Sequence, residues 1–441
     1  MLNLRKSNAT LTKDQIVNYY CQSCKKKSEF RVGLEYERVS INSKSFKSAA
    51  YDDLRQIITH FAIIKGWELL KDGCLVIGAT EGKSANSSSI SLEPGGQFEI
   101  SLEPKKTIGE IEEETGEIVT LLNSIGKIYD TKFLSIGITP FSTYQNIDMV
   151  KKNRYEIMSE YLPTVGKFSP VMMRETASVQ VNFDYESESD ALLKLSTCAL
   201  VSPFLTGFFA NSPIRNNKTT SYKSFRALAW HFTDRTRCGL FYKNLVKWRA
   251  SLGFEDYVNA ILDVPMLFFE RGDKKIVIGG EITFNQFLMH GYRGYQAEFA
   301  DYKLHASLCF PDIRLKNCLE IRNHDSQEIP LALAVCAFYK GILHSEGALL
   351  EVQKLLKGLS HQEVQQLGVQ AAKHGLHFDA MGKSAFEITQ KLFNISKNAL
   401  EASDQKHLEA PLRMLLNKEC VADIALKAGI KNAKELVEFY N

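Results

Sequence analysis

Apolar and polar residues follow two different periods along this chain, and each period predicts one kind of element. Residues 29–41 alternate between apolar and polar side chains, which is typical of a strand with one buried face. Residues 49–67 and 107–129 instead repeat apolar residues at every third or fourth position, which predicts amphipathic helices. Strands and helices mix without a regular strand–helix–strand rhythm, so the pattern favours an α+β fold over a doubly wound sheet.

The helical pattern dominates the chain after Pro330 and continues towards its end. We therefore expect residues 1–330 to form the core that carries the sheet and the chemistry. Residues 331–441 are expected to form a helical region that packs on this core, within one continuous domain. The sequence contains no internal repeat and no low-complexity linker that would separate the two parts.

Acidic and amide side chains are concentrated on one face of four predicted strands. Residues two apart in a strand share a face of the sheet, and the residues between them point to the other face, which here is apolar. Glu93 precedes the Pro-Gly-Gly turn of residues 94–96 and is expected to return to the same neighbourhood. The pairs on the polar faces are Glu35 and Glu37, Gln97 and Glu99, Gln180 and Asn182, and Glu320 and Arg322.

Two explanations of this polar face are open at the level of the residues. For any single strand, a solvated sheet face is the simpler explanation. The four strands together lack lysine in their central positions, however, and clusters of carboxylate and amide oxygens suit Mg²⁺ or Mn²⁺. Several carboxylates beside an arginine are also what the handling of nucleotide phosphate requires.

Composition and charge narrow the expected partners and compartment. The chain has 441 residues and a net charge of +3, which does not favour binding to nucleic acid. Its N-terminus lacks an apolar stretch of signal-peptide length, and the apolar run at residues 331–338 is too short to cross a membrane. The nine cysteines are scattered and odd in number, which favours free thiols. We expect a cytoplasmic monomer or homodimer without membrane or nucleic-acid partners.

Two familiar nucleotide-binding motifs do not occur in the sequence. Residues 78–84, GATEGKS, place three residues rather than four between the glycines of a phosphate loop. A run rich in serine and asparagine follows them, where a phosphate loop would need a helix. The GxGxxG pattern is absent as well, so any use of ATP is expected to depend on a different fold.

Several longer motifs resemble those of one family. The motifs span residues 31–336 and are GLEYE, SLEPGGQFEIS, KNRYEIMSEYLPTVG, MMRETASVQVNFDYESESD, FFANSPI, SFRALAW, FEDYVNAILDVPM and FPDIRLKNCLEIRNHD. In order and spacing they resemble the glutamate–cysteine ligases of plants and many proteobacteria. The resemblance implies a glutamine-synthetase-like fold, in which a curved, mostly antiparallel sheet forms a funnel flanked by helices.

The resemblance also implies a reaction and its cofactors. Members of this family use ATP and Mg²⁺, with two or more ions that Mn²⁺ can replace, to join the γ-carboxylate of glutamate to the amine of cysteine. The product is γ-glutamylcysteine, and the reaction is the first step of glutathione synthesis. The residues that inherit the role of metal ligand are Glu35, Glu37, Glu99 and Glu320, with Glu93 of the same motif as a further candidate.

The resemblance assigns further site roles to Arg322 and Arg226, and the strand pattern adds Gln180 and Asn182 as candidates. Arg322 is expected to bind ATP and contact the transferred phosphate, so that it and Glu320 are the expected catalytic residues. Arg226 is expected to hold the carboxylate of the substrate glutamate, with an ion pair to a surface acid as the alternative. Gln180 and Asn182 are expected either to line the substrate pocket or to satisfy neighbouring strands.

Departures from the family pattern bear mainly on the amine acceptor. The family's GxEHEKF is GLEYERV here, WTDTDxDRTG is WHFTDRTRCG at residues 230–239, and MRGAD is IRNHD at residues 321–325. The acids are retained, but the altered loop leaves open a ligase of the same family that uses another amine. Two further alternatives are a guanidino-type kinase, since that fold also handles Mg-ATP, and a non-catalytic nucleotide-binding protein, which the retained acids argue against.

Overall fold

The computed structural model describes residues 11–84, 86–246 and 251–439. Residues 1–10, which belong to the N-terminal stretch compared with a signal peptide, lie outside the described residues. The helices are α1 Lys13–Gln22, α2 Tyr51–Lys65, α3 Ile108–Ile128, α4 Asn153–Val165, α5 Ser169–Glu175, α6 Glu188–Phe208, α7 Phe225–His231, α8 Phe254–Leu262, α9 Phe284–His290, α10 Phe299–Ser307, α11 Ile329–Leu343, α12 Glu346–Leu355, α13 His361–His374, α14 Ala385–Ala399, α15 Ala402–Gln405, α16 Glu409–Leu416, α17 Val421–Lys427 and α18 Ala433–Phe439. The strands are β1 Val32–Asn42, β2 Glu68–Asp72, β3 Leu75–Thr80, β4 Ser89–Leu92, β5 Phe98–Ser101, β6 Thr131–Leu134, β7 Ser178–Phe183, β8 Ile214–Arg215, β9 Lys218–Thr219, β10 Cys238–Gly239, β11 Phe268–Arg271, β12 Lys274–Val277, β13 Phe310–Pro311, β14 Ile313–Leu315, β15 Leu319–Asp325, β16 Asp379–Ala380 and β17 Lys383–Ser384.

One large sheet organises the fold. Its strands follow the order β14–β15–β7–β1–β5–β4–β3–β2, and β6 pairs with the C-terminal part of β1. Neighbouring strands in this sheet are antiparallel throughout, whereas the short parallel pair β10–β13 lies outside it. The arrangement is a mostly antiparallel sheet with helices packed beside it, as the family resemblance implies.

The two faces of the sheet differ because side chains alternate along each strand. On β1, Leu34 and Tyr36 are each 1% exposed and lie on the face that α11 covers. Val179 and Val181 of β7 are fully buried on the same apolar face. Each such side chain stabilises the fold by about 2 kcal/mol when it leaves water. Since a slip of one residue would exchange the faces, this burial also fixes which side chains point to the open face.

Helix α6 lies at the centre of the core. By length and composition it could cross a membrane, but its apolar window is entirely buried inside the protein. Because α6 is surrounded by protein, it needs no polar face towards water, which explains why it is apolar on all sides. The expectation from sequence rested on the uninterrupted apolar run at residues 331–338, and α6 did not stand out because serine, threonine and lysine interrupt its apolar positions.

Residues 314–325 do not form one continuous strand. The segment forms a hairpin of β14 and β15, in which the Lys316 N–H donates to the Cys318 carbonyl over 2.7 Å. Asn317 lies between them, and asparagine is common in tight turns. The hairpin makes β15 a neighbour of both β14 and β7.

The C-terminal helices begin beside the sheet. Residue 330, where the core was expected to end, lies in the first turn of α11. This helix contacts β1, β7 and α3, and α14 packs against it in turn. The division into residues 1–330 and 331–441 stays a prediction.

Candidate active site

Strand β1 places two carboxylates on the open face of the sheet, and its neighbours extend the polar row. Glu37 lies opposite Glu99 of β5, and Glu35 lies opposite Gln180 of β7. Asn182 of β7 in turn lies opposite Glu320 of β15. Because adjacent antiparallel strands bring opposite residues together, the acids and amides of four strands meet on one face, as the alternation predicts.

Glu93 reaches this face through the turn between β4 and β5. The Gly96 N–H donates to the Glu93 carbonyl at 2.9 Å, and Gly96 has a φ of +78°, which favours glycine. At Gly95, a Cβ atom would lie 2.1 Å from the Arg174 carbonyl oxygen, so no larger residue fits. The Tyr155 hydroxyl then meets the Glu93 carboxylate at 3.5 Å.

Amide groups hold the two carboxylates of β1 in place. The Gln180 side-chain amide donates to Glu37 at 3.0 Å, and the Asn182 amide donates to Glu35 at 2.9 Å. The backbone N–H of Ser178 also donates to Glu37, at 2.7 Å. Both amides therefore satisfy acids on the neighbouring strand, which was one of the two expectations for them. Whether either also contacts a substrate stays a prediction.

The carboxylates on this face repel one another. Burial raises the pKa of Glu37 to about 7, and Glu93 adds to the rise, while Arg226 and Ser178 oppose it. Burial also raises the pKa of Glu99 well above its ordinary value, followed by the negative charges of Glu93 and Glu35. A site in which acids hold protons so firmly favours the arrival of positive charge.

The chemistry of these donors fits a hard divalent cation. All of the groups are oxygens, and the Ser91 hydroxyl donates to Glu99 at 2.9 Å. In the described part of the chain, no three acidic, histidine or cysteine side chains lie close enough to hold one metal ion together. Mg²⁺ is ordinarily bound by one or two carboxylates, and phosphate oxygens and water complete its coordination. Pairs of carboxylates on this face can therefore provide the protein ligands.

Glu320 has a different environment from the other acids. Arg314 binds its two oxygens at 2.7 and 3.1 Å, and Lys316 contacts it at 2.7 Å. Burial would raise the pKa of Glu320, but Arg314 and Lys316 outweigh burial and hold it well below its ordinary value. The sequence pattern did not predict the roles of Arg314 and Lys316, because their contact with Glu320 depends on the β14–β15 hairpin. The metal-binding and catalytic roles of Glu320 stay predictions.

A cavity of about 70 Å³ opens beside the acids. Its lining includes the acids Glu37 and Glu93 and the arginines Arg226 and Arg322. The cavity thus carries both acidic and basic side chains, which suits a ligand that brings both cations and anionic groups. Its remaining lining includes Gln180, Tyr155, Met172, Met173, Trp230 and Phe310.

Arg226 is presented by helix α7 and is 4% exposed. Its Nη2 donates to the backbone carbonyl of Arg322 at 2.8 Å, and its Nη1 lies 3.9 Å from Asp325. The alternative of a surface ion pair is therefore wrong, because both partners are buried. Arg322 directs its own Nη1 to the Gln180 amide oxygen at 2.5 Å and lies 3.2 Å from Glu320.

The chain is similar to plant proteins over nearly its whole length. It is 32% identical to the chloroplastic glutamate–cysteine ligase A of Oryza sativa subsp. indica over 433 residues, which are 98% of this chain and 85% of that protein. It is 31% identical to the chloroplastic glutamate–cysteine ligase of Arabidopsis thaliana over 434 residues, 98% of this chain and 80% of that protein. These relatives are chloroplastic, so the prediction of a cytoplasmic protein is wrong.

The fold is also similar to a solved structure. The crystal structure of a glutamate–cysteine ligase from Francisella tularensis in complex with AMP matches 88% of this chain and 82% of that one, with a TM-score of 0.57 and 12% sequence identity. This likeness confirms the predicted glutamine-synthetase-like fold class, with its large antiparallel sheet flanked by helices.

One family model accounts for most of the sequence. Residues 31–430 match the model of glutamate–cysteine ligase family 2, a range that contains every predicted site residue. The predictions of a ligase and of its family are therefore confirmed. The chain belongs to glutamate–cysteine ligase family 2.

Proposed function

We propose that this chain uses ATP to join the γ-carboxylate of glutamate to the amine of cysteine at the polar face of its sheet. The observation that carries the proposal is the cavity that Glu37 and Glu93 line together with Arg226 and Arg322. The acids suit the cations that accompany a nucleotide, and the arginines suit phosphate and carboxylate groups. Membership of the ligase family supports the same reaction.

The reaction needs an activated carboxylate, because a carboxylate oxygen is a poor leaving group. In the proposed sequence, the γ-carboxylate oxygen of glutamate attacks the γ-phosphorus of ATP, and ADP leaves. The amine of cysteine then attacks the acyl phosphate carbon, loses a proton, and inorganic phosphate leaves as the amide bond forms. The products are γ-glutamylcysteine, ADP and phosphate. Water must be excluded in the meantime, since it would hydrolyse the acyl phosphate.

The acids Glu35, Glu37, Glu93 and Glu99 would hold Mg²⁺. Magnesium bound there would neutralise the charge of the triphosphate. The Gln180 and Asn182 amides keep Glu37 and Glu35 in fixed positions, at 3.0 and 2.9 Å, so that these carboxylates need not reorganise when a nucleotide binds. Glu320 is a poorer ligand by this argument, because Arg314 already occupies both of its oxygens.

The two arginines would act on different groups. The Nη1 of Arg322 contacts both Gln180 and Glu320, and these contacts fix the guanidinium beside the cavity. In that position Arg322 would stabilise the phosphoryl group during its transfer. Arg226 would bind a carboxylate of glutamate, because its Nε–H is buried and makes no hydrogen bond within the described residues. A buried donor without a partner costs about 1–3 kcal/mol, and a substrate carboxylate would recover it.

The proposal is tested by ADP release from the purified protein with Mg²⁺, ATP and glutamate against a panel of amines, with mass detection of the products. Dominant formation of γ-glutamylcysteine is the expected result. Glutamate-dependent turnover that prefers another amine would replace cysteine as the acceptor. ADP release that requires a guanidine and not glutamate would overturn the proposal in favour of a kinase.

A matched pair of variants tests the role of the acids. Glu99→Gln should abolish ADP release, because it removes a charge from the proposed Mg²⁺ site while keeping the side-chain shape. Glu103→Gln is the control, since Glu103 follows the same strand but has a 57% exposed side chain that contacts only Lys105, at 3.7 Å, among its ion pairs in the described residues. Full-rate turnover by Glu99→Gln would refute the assignment.

A further inference from the structure

Asp325 is a buried carboxylate for which sequence analysis assigned no role. It is the last residue of β15 and is 2% exposed. Its Oδ2 accepts hydrogen bonds from the Asn211 N–H at 2.8 Å and the Ser212 hydroxyl at 2.6 Å. Its Oδ1 accepts one from the Ser224 hydroxyl at 2.8 Å. A buried carboxylate with three donors is held in one position.

The same serines connect Asp325 to the helix that carries Arg226. The Arg226 N–H donates to the Ser212 hydroxyl at 3.1 Å, and that hydroxyl donates onward to Asp325. Ser224 is the N-cap of α7 and accepts a hydrogen bond from the Ala227 N–H at 3.0 Å. Asp325 thus reaches Arg226 through its backbone, through the start of its helix, and directly at 3.9 Å from the guanidinium.

The backbone of Gly137 packs closely against the Asp325 carboxylate. At Gly137 a Cβ atom would lie 2.5 Å from the Asp325 Cγ, closer than any such contact allows. The Gly137 N–H donates to the Asn211 carbonyl at 2.9 Å, so the same short segment also fixes a donor residue of the carboxylate. The glycine is therefore required by close approach and not by its φ angle.

We propose that Asp325 is a positioning residue that fixes the Arg226 guanidinium for the carboxylate of the substrate and so sets the affinity for glutamate. The inference rests on the proposed function, in which Arg226 binds glutamate. A buried guanidinium without a counter-charge is costly, and Asp325 offsets that cost before substrate arrives. Its contact with Nη1 leaves the Nε–H of Arg226 without a protein partner in the described residues, and that edge is the one proposed for glutamate.

The test is steady-state kinetics of Asp325→Asn, which keeps the size of the side chain and removes its charge. We expect the KM for glutamate to rise about tenfold or more, as the loss of a charge-assisted contact would give, with kcat and the KM for ATP changed less than about threefold. Calorimetric binding of glutamate alone should weaken by the same factor. Ser212→Ala, which removes one link, should raise the same KM by a smaller factor.

Asp301→Asn is the matched control for a merely structural effect. Asp301 is also 2% exposed and binds Arg271 at 2.6 and 2.7 Å. Its substitution should lower the melting temperature without raising the KM for glutamate. If Asp325→Asn or Ser212→Ala behaves like this control, or raises only the KM for cysteine, the inference is wrong. Absence of glutamate-dependent turnover in the parent protein would instead refute the proposed function.

Discussion

Glu37→Gln should stabilise the protein in EDTA at pH 8 while removing its activity. In the folded protein, burial and Glu93 raise the pKa of Glu37 from 4.5 to about 7. The unfolded chain releases this proton near pH 4.5, whereas the folded chain keeps it until about pH 7. Folding therefore becomes less favourable as the pH rises through this window, and the whole cost is present above pH 7.

The size of the effect follows from the shift. A rise from 4.5 to about 7 corresponds to about 3 kcal/mol, at about 1.4 kcal/mol for each tenfold change in proton affinity. Glutamine escapes this cost, but it cannot accept hydrogen bonds from both Ser178 and Gln180, and the lost bond costs about 1 kcal/mol. The net gain at pH 8 should be about 2 kcal/mol, and at pH 5 it should be close to zero.

Chemical denaturation of the two proteins at pH 5 and pH 8, in EDTA and in Mg²⁺, measures this gain. Mg²⁺ should stabilise the parent protein more at pH 8 than at pH 5, and should stabilise the variant less. ADP release by the variant should be lost. Two results would refute the argument that repelling carboxylates prepare this face for cations. In one, the variant has a lower free energy of unfolding than the parent at pH 8 in EDTA. In the other, the variant is more stable than the parent by the same amount at pH 5 and at pH 8.

Three further substitutions test separate parts of the site. Gly95→Ala should lower stability by about 2 kcal/mol or more, seen as a fall in melting temperature, because its Cβ would meet the Arg174 carbonyl; an unchanged melting temperature would contradict this. Arg322→Lys should lower kcat about 100-fold with an unchanged melting curve, since lysine cannot keep the amide contact while it reaches a phosphate; a parent-like kcat would exclude the role. Arg314→Met should destabilise the fold by about 1–3 kcal/mol in denaturation, because it removes the bidentate partner of Glu320; a neutral result would show that the remaining cations suffice.

Alternation along single strands was enough to predict the polar face. The positions of Glu35, Glu37 and Glu99 follow from a period of two and from an apolar opposite face, both of which are local properties of the sequence. The turn that returns Glu93 to this face was also predictable, because Pro-Gly-Gly between two strand patterns indicates a tight connection. The fold class and the family followed from longer motifs.

Contacts between distant segments could not be predicted in the same way. The pairing of Arg314 with Glu320 depends on the β14–β15 hairpin, which a single asparagine at residue 317 was not enough to predict. The approach of Asp325 to Arg226 depends on serines at residues 212 and 224, which belong to a loop and a helix cap. Such contacts are set by register and packing, so sequence patterns identify the acids of the site but not the groups that hold them.

The most direct test of the central claim is to follow a heavy-oxygen label from the γ-carboxylate of glutamate during turnover with ATP, Mg²⁺ and cysteine. If the carboxylate attacks ATP, one labelled oxygen per turnover should appear in inorganic phosphate, and the amide product should lose it. If inorganic phosphate carries no label, and both labelled oxygens are found in other molecules, the result would contradict an acyl phosphate formed at this site.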